Sequence, residues 1–229
     1  MELVCLGSSS AGNCYLLTND TECLVLEAGI PFKEVKIALD FNITKIVGVV
    51  ALHAHGDHSH YIHEYEKSGI KCYKPYEEEE PRPISFGGFK LFFFPLVHDV
   101  PNFGVVICHK EIGKLLYAVD TEYIPQRFAK LNLDIIMVEA NYSDELIESA
   151  STDDFVRNRV YGTHMELETT MEFLRVNKTP HLRHVVLCHL SDSHADPMMF
   201  KERAESVVDC EVHIAEPHTQ IFIDDIPFM

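Results

Sequence analysis

The sequence contains no tryptophan, no Cys-x-x-Cys pair and no apolar run long enough to cross a membrane. Without a Cys-x-x-Cys pair, a structural zinc knuckle is not expected. The seven cysteines are odd in number and stand mostly inside apolar segments. They predict buried free thiols and a cytoplasmic location rather than a disulfide framework. The first residues lack a basic segment, so we expect no signal peptide.

Basic residues are also scarce, since 19 Lys and Arg face 36 Asp and Glu and the formal net charge is −17. A strongly acidic chain repels the phosphates of DNA and RNA, so stable nucleic-acid binding is not expected. Bound divalent cations would offset this charge locally, and a small anionic substrate could still reach them.

The order of apolar segments predicts an α/β fold. Short strands come first, and strands interleaved with helices follow, which suits two mixed β-sheets packed face to face with helices outside. Turn signals at 7–13 separate the first strands, and helices are predicted over 34–41, 61–68, 124–130, 144–157, 165–177 and 197–208. No repeat or linker is evident, so we expect one domain over 1–229.

Four metal-ligand side chains stand within six residues, directly after the apolar segment 46–52. They are His53, His55, Asp57 and His58. His53 and His55 are two apart, so an extended backbone directs both to one side and they can bind one ion. Asp57 and His58 follow Gly56, where we expect the chain to turn, and can face a second ion. Charged side chains in such a cluster repel one another and lose their hydration, and a bound cation offsets both costs.

Three further candidate ligands lie at or just past the ends of apolar strands. His98, Asp120 and His189 follow the segments 92–97, 115–119 and 185–188. A single histidine at a strand end is usually a hydrogen-bonded rim residue. The three together predict that strand ends converge on one metal site.

These motifs resemble the metallo-β-lactamase superfamily, whose pattern His-x-His-x-Asp-His is followed by a His, an Asp and a final His. The resemblance implies an αβ/βα sandwich in which His53, His55 and His98 hold one ion. It implies that Asp57, His58 and His189 hold the second and that Asp120 bridges the two. Glu27 stands where the family usually has an Asp that orients a ligand imidazole.

Imidazole and carboxylate ligands without thiolate suit zinc, manganese or iron. We expect two divalent ions, with zinc as the first choice and manganese as the alternative. Divalent ions activate water near neutral pH, so hydrolysis is the expected chemistry. Asp57 could also orient the attacking water or accept its proton.

Two further residues narrow the reaction. Glu139 ends an apolar strand, and His164 lies in the connection before the helix predicted from 165. They resemble the Glu and His pair of ribonuclease Z-type phosphodiesterases. The resemblance implies that His164 contacts the scissile phosphate or protonates its leaving oxygen, and that Glu139 holds His164.

The segments 7–15, 55–60 and 98–104 together resemble the phage anti-Pycsar phosphodiesterases and their bacterial relatives. That family implies hydrolysis of 3′,5′-cyclic mononucleotides such as cUMP, cCMP, cAMP and cGMP, which silences a bacterial immune signal. It also implies a homodimer in the host cytoplasm. The alternatives are a nuclease acting on DNA or RNA ends, a glyoxalase-type thioester or lactone hydrolase, and a nucleotide-binding protein without turnover.

Overall fold

Apolar segments of the chain form two β-sheets in the computed structural model, which describes residues 1–223. The strand order is β13-β1-β2-β3-β4-β5 in the first sheet and β12-β11-β10-β9-β8-β7-β6 in the second. The strands are β1 (Glu2–Ser9), β2 (Gly12–Thr18), β3 (Cys23–Leu26), β4 (Ile46–Val50), β5 (Cys72–Tyr73), β6 (Ile84–Phe86), β7 (Phe89–Pro95), β8 (Phe103–His109), β9 (Gly113–Ala118), β10 (Ile135–Glu139), β11 (His184–Cys188), β12 (Glu211–Ile214) and β13 (Gln220–Phe222).

Seven α-helices of residues 1–223 pack outside the sheets or cap their edges. They are α1 (Phe32–Ala38), α2 (Gly56–Ser59), α3 (Ile62–Lys67), α4 (Asp144–Ser149), α5 (Asp154–Thr163), α6 (Leu167–Asn177) and α7 (Pro197–Glu205). None of these helices has the length and apolar character needed to span a lipid bilayer. Single 3₁₀ turns lie at Ile43–Lys45, Pro75–Glu77 and Ala129–Leu131.

Three apolar clusters give the molecule four layers. One lies between the sheets, where Leu24 and Leu26 of β3 join Met137 of β10. The second lies between the second sheet and helices α6 and α7, and the third packs α1 and α3 on the first sheet. The predicted sandwich of two mixed sheets flanked by helices is therefore confirmed. Strands such as β10 and β11 read as continuous apolar runs because both of their faces are covered.

Parallel pairing brings several carboxyl ends of strands to one edge. In the second sheet, β10 pairs in parallel with both β9 and β11, and Glu139 lies opposite Cys188. In the first sheet, β4 runs parallel to β3 and β5. Residues that follow these strands can therefore meet at the same edge of the sandwich.

Several local predictions differ from the structure. No helix forms over 124–130 except the 3₁₀ turn at its end, because Pro125 disfavours helical geometry at Ile124. The helix predicted over 144–157 is divided into α4 and α5, and Asp153 caps α5 by accepting a hydrogen bond from the Phe155 N–H. The turn predicted over 7–13 is limited to Ser10 and Ala11, because β1 and β2 extend into it.

Candidate metal centre

The short helix α2 begins immediately after His55 and separates the four residues of the histidine motif into two groups. His53 and His55 lie before the helix, whereas Asp57 and His58 are in its first turn. The chain turns at Gly56 without a left-handed backbone conformation, because that residue simply starts the helix. The motif can therefore face two neighbouring positions, as its spacing predicts.

The first group combines His53, His55 and His98, whose nearest nitrogens all lie within 4.8 Å of one another. Nε2 of His98 is 3.2 Å from Nδ1 of His55. The Nδ1–H of His98 donates to the carbonyl oxygen of Thr163 at 3.1 Å, which leaves Nε2 of His98 directed at the group. Three convergent imidazoles are a donor set that suits a divalent transition metal.

The second group combines Asp57, His58, Asp120 and His189, again with donor atoms within 4.8 Å. Asp120 lies between the two groups, because its Oδ2 is 2.6 Å from Nε2 of His58 and 3.2 Å from Nε2 of His53. Oδ2 of Asp57 is 3.5 Å from Nε2 of His189. All seven residues predicted as ligands are thus brought together, and Asp120 lies between the two groups.

The donor atoms of this cluster fit cations. Within residues 1–223, both nitrogens of His53, both oxygens of Asp120 and Nε2 of His189 are buried and form no hydrogen bond of regular geometry, although Oδ2 of Asp120 lies close to two imidazoles. Each such buried polar atom costs about 1–3 kcal/mol if nothing compensates it. A divalent ion at each group would satisfy Nε2 of His53, Nε2 of His189 and the oxygens of Asp120.

The pKa values differ between the two groups. Burial lowers the pKa of His53, and it lowers the pKa of His98 to about 4 with a further contribution from neighbouring imidazoles. Both side chains are therefore neutral at pH 7, which is the form that binds metals. In the second group, burial opposes protonation, but Asp120 outweighs it and raises the pKa of His189 to about 9. Protons and metal ions therefore compete for the nitrogens of the second group.

Glu27 occupies the position behind His58. Its side chain is fully buried, and Oε1 lies 3.4 Å from Nδ1 of His58. Oε2 accepts a hydrogen bond from the backbone N–H of Leu52 at 3.2 Å. The longer carboxylate thus still reaches the imidazole that it faces, and it also contacts the strand end that leads into the histidine motif.

Glu139 and His164 form a close pair at the edge of the second group. Nδ1 of His164 is 2.7 Å from Oε1 of Glu139 and 3.2 Å from Oδ1 of Asp120. The ring of His164 stacks on that of His189, with centroids 5.3 Å apart. Burial alone would lower the pKa of His164, but the two carboxylates outweigh it and raise the pKa to about 10. His164 follows directly after the last residue of α5, Thr163, whose carbonyl holds His98.

Three polar residues at the site carry no role in the sequence-based predictions. Asp99 places Oδ1 3.4 Å from Nε2 of His55 and 3.1 Å from Nε2 of His98. Nδ2 of Asn13 is 2.9 Å from Nε2 of His58. Asn141 donates to the carbonyl oxygen of His189 at 2.7 Å. For Asp99 its position next to His98 was the available signal, whereas the two amides make contacts that no local pattern indicates.

A cavity of about 300 Å³ opens beside this cluster. His164 and His189 line its inner side, and Arg159 of α5 contributes a guanidinium. Its other polar lining residues are Ser9, Ser10, Asn141, Ser191, Asp192, Ser193 and His194. A small anionic substrate would therefore meet positive charge next to the candidate metal positions.

The family model of the metallo-β-lactamase superfamily matches residues 9–104, which contain the histidine motif and His98. No curated protein matches the sequence. The fold is similar to that of the metallo-β-lactamase fold protein YhfI from Bacillus subtilis, with a TM-score of 0.69 and 17% identity over 96% of this chain and 98% of that one.

Two further solved structures share the fold. The short form of human tRNase Z has a TM-score of 0.64 and 16% identity, covering 97% of this chain and 99% of that one. A diphosphatase of the PhnP family has a TM-score of 0.62 and 14% identity, covering 98% of each chain. The predicted resemblance to the superfamily is thereby confirmed, while identities this low establish the fold alone.

Proposed function

We propose that this chain is a metal-dependent hydrolase of the metallo-β-lactamase superfamily and that it hydrolyses 3′,5′-cyclic mononucleotides to linear nucleoside monophosphates. The observation that carries the proposal is the 2.7 Å contact between Glu139 and His164 next to Asp120. Thioester hydrolysis at the same ligand set has no need for this pair, whereas phosphodiester cleavage leaves an alkoxide that must be protonated.

The geometry assigns a role to each nitrogen of His164. Nδ1 is engaged by Glu139, so Nε2 is the nitrogen that can contact the phosphate or protonate the leaving oxygen. Glu139 is a positioning residue, since it is fully buried and acts through His164. It also accepts a hydrogen bond from the backbone N–H of Thr121 at 3.0 Å, which fixes the carboxylate next to Asp120.

Two ions of zinc, or of manganese, would be held by the two ligand groups with Asp120 shared between them. When bound, they lower the pKa of water and polarise the phosphoryl group. Asp57 lies where it can orient the attacking water or take its proton, because Oδ2 faces His58 and His189 across the second group. Arg159 adds positive charge at the cavity for the substrate phosphate.

Two of the proteins with similar folds are a tRNase and a diphosphatase, names that denote cleavage at phosphate groups. The net charge of −17 favours a small nucleotide over a long polyanion. The choice of cyclic mononucleotides among small nucleotides rests on the resemblance of segments 7–15, 55–60 and 98–104 to the anti-Pycsar phosphodiesterases.

The test compares the zinc- or manganese-loaded protein with its His164→Ala and Glu139→Gln variants on cUMP, cCMP, cAMP, cGMP, short RNA and DNA, and a thioester. We expect linear monophosphates from the cyclic nucleotides and a loss of about 10²–10⁴-fold in His164→Ala. His181→Ala is the matched control, because His181 is exposed and lies outside the ligand cluster. Turnover of RNA, DNA or the thioester with inert cyclic nucleotides would contradict the proposal.

Homodimerisation and the role against cyclic-nucleotide immune signalling rest on the resemblance to the anti-Pycsar phosphodiesterases. Light scattering on the purified protein tests the dimer. Expression of the protein in bacteria that carry a Pycsar system tests the second prediction, since loss of defence against phage should require His164.

A further inference from the structure

A second cavity, of about 460 Å³, adjoins the one beside the metal-ligand cluster. Ser8 lines it and accepts a hydrogen bond from the backbone N–H of His189 at 2.9 Å, so the cavity begins directly behind a candidate ligand. A ridge separates the two cavities and lines both of them. This ridge consists of Ser9, Leu190, Ser191 and Asp192.

The second cavity differs from the first in its chemistry. Its walls are largely apolar, with Leu6, Ile30 and Ile214 among them. It carries the carboxylates of Asp192 and Glu216, whereas none of the lining residues within 1–223 is Lys, Arg or His. A phosphate would be repelled here, while a flat neutral ring with hydrogen-bond donors would be stabilised.

The two carboxylates are available to a ligand. Among residues 1–223, neither Asp192 nor Glu216 forms a side-chain hydrogen bond or an ion pair, and both residues are exposed at the cavity. The hydroxyl groups of Ser9 and Ser191 lie on the ridge beside them. The cavity therefore combines apolar walls with strong acceptors on one side.

We infer that this cavity binds the base of the substrate and favours bases with an exocyclic amino group over uracil, an inference that rests on the proposed function. Guanine, adenine and cytosine each present an amino group to an acceptor. Uracil presents carbonyl oxygens on both sides of its one ring N–H, and these oxygens would face the carboxylates. The phosphate then lies at the metal centre near His164 and Arg159, and the base lies beyond the ridge.

The experiment measures kcat/KM of the metal-loaded protein for cGMP, cAMP, cCMP and cUMP, and for bis(4-nitrophenyl) phosphate, which has no base. We expect cUMP to be the poorest of the four by about tenfold. Asp192→Asn and Glu216→Gln should both reduce this preference, and Glu216→Gln should leave bis(4-nitrophenyl) phosphate unchanged, because Glu216 lines the second cavity and not the first. Asp20→Asn is the matched control, since Asp20 is exposed beyond the other end of β2.

A steric variant gives an independent test. Ala11 is exposed in the turn between β1 and β2 and lines the cavity, so Ala11→Phe should narrow it without disturbing the fold. We expect a higher KM for all four cyclic nucleotides and an unchanged KM for bis(4-nitrophenyl) phosphate.

Four results separate this inference from the proposed function. Equal kcat/KM for all four nucleotides, or a preference that survives in both carboxylate variants, would overturn the inference and leave the proposed function intact. An unchanged KM for the cyclic nucleotides in Ala11→Phe would overturn it as well. Inert cyclic nucleotides with rapid cleavage of bis(4-nitrophenyl) phosphate would overturn the proposed function together with the inference.

Discussion

Replacing Gly29 with alanine should displace the loop that carries Asp57, since Gly29 lies against that loop. A Cβ atom on Gly29 would overlap the backbone carbonyl of Asp57 and would lie 2.7 Å from the backbone nitrogen of Asn13. The backbone N–H of Gly29 donates to the carbonyl of Asn13 at 3.0 Å, and the neighbouring Ala28 N–H donates to the carbonyl of His58 at 2.7 Å. Backbone atoms held in this way cannot rotate aside, so the ligand loop itself must move.

The expected size of the effect follows from this displacement. Overpacking of a buried contact costs about 1–3 kcal/mol in the free energy of unfolding. A shift of about 1 Å in catalytic groups costs about 100-fold in rate. Gly56 offers a matched control in the same loop, because a Cβ there meets nothing within 4 Å. Gly56→Ala should change the stability by no more than about 0.5 kcal/mol.

Three measurements check the prediction for both variants: bound metal per chain after gel filtration, kcat/KM for bis(4-nitrophenyl) phosphate, and urea unfolding. Gly29→Ala should lose metal and activity, and Gly56→Ala should keep both. Wild-type metal content and activity in Gly29→Ala would refute the reasoning, because the overlap would then be relieved without moving Asp57.

Removing bound metal with a chelator should lower the melting temperature, because metal at 100 times its Kd stabilises the fold by about 2.7 kcal/mol, or about 5–10 °C for a chain of this size. Differential scanning fluorimetry checks this, and an unchanged melting temperature would argue against the buried cluster as the metal site. A further prediction concerns Glu22, which links the two sheets away from the metal-ligand cluster. Its carboxylate accepts hydrogen bonds from the Gly88 N–H at 2.7 Å and from Nε2 of His109 at 3.0 Å. Burial would raise the pKa of Glu22, but these partners lower it below its usual value, so its contribution is present above about pH 4.5 and is lost as the pH falls further. Glu22→Gln should cost about 1.5–3 kcal/mol at pH 7 and progressively less below pH 4.5 in urea unfolding, whereas an equal loss at pH 3 would contradict stabilisation by the hydrogen-bonded carboxylate.

The convergence of the candidate ligands could be predicted because His53, His98, Asp120 and His189 each follow an apolar segment. Segments such as 46–52 and 185–188 are long enough to identify strands, and several metal-ligand side chains at strand ends together indicate one site. The contact between Glu27 and His58 and the boundaries of the helices were harder to predict from the sequence. Asp153, for example, caps α5 inside the segment predicted as one helix over 144–157, and the helix predicted over 124–130 does not form because of Pro125.

Contacts between distant parts of the chain could not be predicted from local patterns. Asn141 donates to the carbonyl of His189 across 48 residues of sequence, and Asn102 donates to the carbonyl of Asp120 at 2.6 Å across 18 residues. No periodicity or spacing encodes such pairs. Their role is seen only in the structure, where they support the backbone conformation of Asp120 and His189.

That backbone conformation is shared by three residues of the site. Glu27, Asp120 and His189 have φ angles of 65°, 54° and 55°, in the left-handed region that costs residues with a Cβ about 1–3 kcal/mol. Glu27 and His189 directly follow β3 and β11, and Asp120 follows β9 by two residues, so the chain turns where each side chain must enter the cluster.

Such strain persists only where the surroundings fix it, and here backbone and side-chain hydrogen bonds do so. The Glu27 N–H donates to the carbonyl of Val50 at 2.8 Å, and the His189 N–H donates to Ser8. Asn102 donates to the backbone carbonyl of Asp120, and Asn141 donates to the backbone carbonyl of His189. The ligand geometry is therefore maintained by two amides and a serine outside the ligand set, and the strands alone would not hold the ligands in place.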